Sequence, residues 1–104
     1  MKNNRLDLHA KLIDILGSNN VYFQPPEGIR IKYPCIIYER SSIDVNHADD
    51  ISYARMVQYE IMFITKEPDT NDFIMKMLDA FKYCSYSRHF VSDNLNHEIF
   101  ILYY

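Results

Sequence analysis

Two periodicities alternate along this chain. From Leu6 to Leu16, Leu8, Leu12, Ile15 and Leu16 recur at helical spacing, and Leu6, Ala10 and Ile13 widen the stripe. Only Asp7, Lys11 and Asp14 are left for a solvent face, with His9 near the middle of the apolar stripe. A polar face this narrow predicts cover on both flanks, from the chain's own sheet or from a neighbouring subunit. Gly17, followed by Ser-Asn-Asn, is the stop signal.

The period then changes to two. Val21 to Phe23 is a short extended piece closed by Gln24-Pro25-Pro26, and after Ile29 to Tyr33 and Pro34 an apolar run from Cys35 to Ser42 reads as a strand. Its antiparallel partner is the longest strand candidate, Ser52 to Thr65, where Tyr53, Val57, Tyr59, Ile61 and Phe63 share one face and Gln58 and Glu60 mark the other. At ~3.3 Å per residue that run reaches about 45 Å, more than a small core covers, so one end is expected to project. Between the two strands, Ser41 to Asp50 is polar and acidic, too long for a two-residue turn, and reads as a flap.

Glu67-Pro68-Asp69-Thr70 closes the long strand, and Asp69 is the expected N-cap of a second helix, with Asp72 in its first turn. Phe73, Ile74, Met77, Leu78 and Phe81 form its apolar face. Cys84 to Phe90 and Leu95 to Tyr104 read as a hairpin joined through Val91 to Asn94, and the terminal run is apolar on both faces, as in a covered strand. The order is α-β-β-β-α-β-β: an α+β fold, mostly antiparallel, with both helices on one face of the sheet. With 104 residues, one domain spanning 1–104 is the natural count.

Composition narrows the function. A net charge of −3 with no run of Lys or Arg disfavours a grip on nucleic-acid phosphates. The absence of an apolar leader or of ~20 consecutive apolar residues reads as neither secreted nor membrane-spanning. Cys35 and Cys84 belong to no metal-binding spacing and are expected to be free, buried thiols. The nine tyrosines could stack on single-stranded nucleic acid, but the acidic balance favours cross-strand pairs.

Candidate chemistry is sparse. His47, Asp49 and Asp50 in the flap, with His89, Asp93 and His97 in the last hairpin, are the one grouping of metal-ligating type, and their spacing matches no known metal motif. The serines lack a nucleophile elbow, and two glycines cannot make a phosphate-cradling loop. The expectation is a protein without catalytic residues, metal or cofactor; a small metal-dependent enzyme using His47, Asp49, His89 and His97 is the alternative from a different class.

At Asn4-Arg5-Leu6-Asp7-Leu8-His9, Val21-Tyr22-Phe23-Gln24-Pro25-Pro26, Tyr33-Pro34-Cys35-Ile36-Ile37-Tyr38, His47-Ala48-Asp49 and Asp93-Asn94-Leu95-Asn96-His97, the chain resembles the tail terminator or tail-completion proteins of long-tailed bacteriophages and prophages of Gram-positive bacteria. The resemblance spans essentially the whole length. It implies a virion protein, assembled in the host cytoplasm, that forms a homo-oligomeric ring, usually a hexamer. Such a ring caps the tail tube of major tail protein, meets head-completion or connector proteins, and lets DNA pass without specific binding. A head-closure or connector component of the neck is the alternative within that class. The subunit contact is expected at the flap and the start of the long strand, with Ile43, Val45 and Tyr53 as apolar anchors and Asp44, His47, Asp49 and Asp50 around them.

Overall fold

The structure is a computed structural model that describes residues 4–43 and 56–104. Its elements follow the expected order: α1 (Arg5–Leu16), β1 (Val21–Phe23), β2 (Cys35–Ile43), β3 (Val57–Thr65), α2 (Asn71–Ala80), β4 (Cys84–Ser92) and β5 (Leu95–Tyr103). The five strands form one sheet in the order β1-β2-β3-β5-β4. Only β1 and β2 run parallel; the other neighbours are antiparallel.

Helix α1 begins where Asn4 turns its side-chain oxygen to the Asp7 amide at 2.8 Å, satisfying one of the donors that a helix start leaves open. It ends at Gly17, whose φ of 83° is the left-handed conformation that a residue with a Cβ resists, and whose N–H reaches the Ile13 carbonyl. Leu8 and Leu12 are fully buried. Cover on both flanks is not what the chain itself provides: Leu6 is 69 % exposed and Ala10 also faces solvent, because the sheet reaches only one side of the stripe.

Helix α2 starts one residue later than its sequence suggests. Thr70, not Asp69, occupies the N-cap, and it makes no side-chain capping bond because its hydroxyl is engaged elsewhere, on Glu98. The apolar face turns inward as expected, with Met77 and Phe81 buried and Phe73 stacked on Phe63 at a centroid distance of 3.7 Å.

Alternation decides which strand residues meet the helices. Ile36 and Tyr38 of β2, Tyr59, Ile61 and Phe63 of β3, and Phe100 and Leu102 of β5 join Leu8, Leu12, Met77 and Phe81 in one core. The final hairpin turns on Asp93 and Asn94, both at positive φ (54° and 64°), in a two-residue connection that pairs Ser92 with Leu95, tighter than the four-residue link the sequence suggests. Strand β1 pairs directly with β2, Val21 opposite Ile36. Of the long strand, Val57–Thr65 is described, and Ser52 to Arg55 lie outside the described residues.

Candidate functional site

Of the residues expected at a subunit contact, Ile43 is the last residue of β2, paired with Val57. Asp44, Val45, His47, Asp49, Asp50 and Tyr53 lie outside the described residues.

The metal alternative depends on His89 and His97 converging, and the strand pattern separates them. His89 pairs with Glu98 and shares the helix face, whereas His97 pairs with Phe90 and stacks on that ring at 4.5 Å on the opposite face. Their remaining contacts are local: His89 Nε2 with the Asn96 side-chain oxygen at 3.1 Å, and His97 Nδ1 with the Leu95 carbonyl at 3.0 Å. Among the described residues no group of three His, Cys, Asp or Glu side chains is placed to hold an ion.

The cysteines are likewise apart. Cys35 is on β2 and Cys84 on β4, with β3 and β5 between them, so at ~4.8 Å per strand they are about 14 Å apart across the sheet, beyond disulfide reach. Burial pushes each thiol up to about 11, which keeps them protonated and poorly nucleophilic near neutrality.

Two polar constellations emerge that the sequence did not single out. The first surrounds Glu98, only 3 % exposed at the α2 end of β5. Thr70 donates its hydroxyl to Oε2 at 2.6 Å, Tyr86 donates its phenol to Oε1 at 2.6 Å, and His89 Nε2 lies 3.8 Å from Oε2. These are the short distances of charge-assisted bonds, and the positive end of α2 adds a favourable field for a carboxylate. Burial, the hydrogen bond to Glu98 and the charge of Glu98 push the Tyr86 phenol up to about 12. Every oxygen of the carboxylate is engaged, so the cluster ties α2, β4 and β5 together. Its signal in the sequence is one acidic residue at an inward-facing position of the apolar run His97-Glu98-Ile99-Phe100.

The second constellation lies where α1 begins. Tyr38 is fully buried; its hydroxyl meets His9 Nδ1 at 2.7 Å and accepts from Arg5 at 3.5 Å. Arg5 also lies over the Phe23 ring, 4.4 Å from its centroid. Burial and the Arg5 charge lower the His9 pKa, so the imidazole stays neutral near pH 7.

The sheet face away from the helices has a different composition. At its centre lie buried Cys35, Ile64 and Ile99 with half-buried Ile37, Met62 and Ile101; around them stand Glu39, Gln58, Glu60, Arg88 and His97. An apolar centre inside a polar rim is the anatomy of a protein contact. The sequence places these residues on alternate strand positions, but which side the helices take is settled only by packing. No described helix is long and apolar enough to cross a membrane. Compared with protein-family models, with curated proteins and with solved structures, the chain matches none of them.

Proposed function

We propose that this chain is a structural subunit that assembles with copies of itself into a closed ring, six-fold in its simplest form, and that the ring terminates the tail tube of a long-tailed phage and offers the surface for joining the head. The observation that carries the reading is the helix-free sheet face, with Ile37, Met62 and Ile101 left half-buried within a charged border. A two-layer α+β unit covers one face of its sheet with helices, and the other gains most from a neighbour. A contact repeated head to tail closes into a ring when its rotation permits, which is the symmetry a cylindrical tube requires at its end. The tail-terminator resemblance of the sequence supports the same assignment.

Light scattering on the purified protein tests the assembly, because six copies of a 12.4 kDa chain weigh about 74 kDa. The Met62→Glu and Ile101→Glu variants should give folded monomers that fail to complete tails. A wild-type protein that stays monomeric alone and with tail tubes, or variants that still complete infectious particles, would remove the assignment.

A further inference from the structure

We propose that Arg5, Arg40 and Tyr59 form a binding site for a single small oxyanion of the phosphate or carboxylate type, beside the N-terminus of α1. The inference is independent of the ring assignment. Arg40 and Tyr59 are direct cross-strand partners on the helix face of β2 and β3, and Tyr38 precedes Arg40 by two positions on that same face. Arg5 comes down from α1 onto Phe23 and the Tyr38 hydroxyl. The rings of Tyr38 and Tyr59 meet edge to face at 5.9 Å, which packs Tyr59 against the ring whose hydroxyl Arg5 reaches.

Three observations mark that location as a ligand site. Tyr59 is 94 % buried as a residue, yet its hydroxyl makes no hydrogen bond among the described residues. Among the described residues no buried side-chain oxygen or nitrogen lacks a partner, so this hydroxyl is the part of Tyr59 that reaches the surface. Next, neither Arg5 nor Arg40 has a carboxylate partner among the described residues, although the chain is acidic overall. The neighbouring Glu39 and Glu60 point to the other sheet face, and Asp7 is held by Tyr104 and Lys11. Finally, burial pushes the Tyr59 phenol up while the charges of Arg5 and Arg40 both pull it down. Two planar guanidinium groups and a free hydroxyl donor suit an oxyanion with two or more acceptor oxygens, and the start of a helix adds a favourable dipole.

The test is a titration of the full-length protein, followed by amide and imidazole NMR signals, with inorganic phosphate and separately with acetate at constant ionic strength, using chloride as control. Saturable shifts at Tyr38, Arg40 and Tyr59, with an upward move of the His9 titration on binding, are expected. Tighter phosphate binding identifies a phosphoryl ligand, and tighter acetate binding identifies a carboxylate ligand. Tyr59→Phe keeps the ring and Arg40→Gln alters an exposed side chain, so both should fold and each should weaken binding about tenfold, the loss expected for one charge-assisted bond. Responses to both anions that match chloride, or undiminished binding in both variants, would overturn the site.

Discussion

Tyr86 donates its phenol to the buried Glu98 carboxylate at 2.6 Å, linking the edge strand β4 to the interior of the sheet. The ring of Tyr86 is part-exposed while its hydroxyl points inward, so removal of that one oxygen leaves shape almost unchanged. Tyr86→Phe should cost about 2 kcal/mol, within the range for a bond to a charged group, as measured by urea denaturation. The phenol has a higher pKa folded, about 12, than its usual ~10 when unfolded. Its contribution is therefore fully present below pH ~10 and is lost as pH rises toward the folded value. An alkaline unfolding limb that persists unchanged in Tyr86→Phe would contradict this account.

Glu98→Gln tests the other partner. The amide offers one acceptor oxygen where the carboxylate offers two, so either Thr70 or Tyr86 faces a donor. A loss of about 2 to 3 kcal/mol is expected, with Glu98→Ala at least as costly because two hydroxyls then lose their acceptor. Stability equal to wild type in both variants would show that the buried carboxylate ties nothing together.

The His9 imidazole gives the opposite pH signature. Its folded pKa is lowered by burial and by Arg5. Its contribution is present above the unfolded value of ~6.5 and is lost as pH falls through the folded pKa. Thermal unfolding between neutral and mildly acidic pH should show this slope in the wild type and a shallower one in His9→Gln.

Both thiols should be slow to react in the native state, because each is held at about 11 by burial. Cys35, fully buried, should be the slower of the two. A thiol reagent added near neutral pH should label both positions rapidly only after denaturation. Denatured protein prepared without reductant that shows no free thiol would mean that the two are bridged.

Shortening Asp44 to Asp50 to Asn-Gly tests the expected flap contact. The fold should survive, because the β2 and β3 ladder from Cys35 paired with Ile64 to Ile43 paired with Val57 lies outside the deleted stretch. Ring formation and tail completion should fail. Rings and infectious particles from the shortened protein would move the contact elsewhere.

The amino-acid sequence by itself determined the elements: helical spacing from Leu6 to Leu16 and from Phe73 to Phe81, and alternation in the strands, are local properties that burial of one face enforces. It also determined the inward set Val57, Tyr59, Ile61 and Phe63, since period two leaves no other choice once one face is apolar. Tertiary structure alone decided that β1 runs parallel to β2, that β5 lies between β3 and β4, and that Thr70 caps α2 while serving Glu98. It also decided that Arg5 reaches the Tyr38 hydroxyl and that Arg40 pairs with Tyr59. Those relationships join residues from 15 positions apart (Val21 to Ile36) to 28 (Thr70 to Glu98) and farther, and no local pattern encodes them. They follow from which strands pair and which face the helices cover, a choice made by the packing of the whole core.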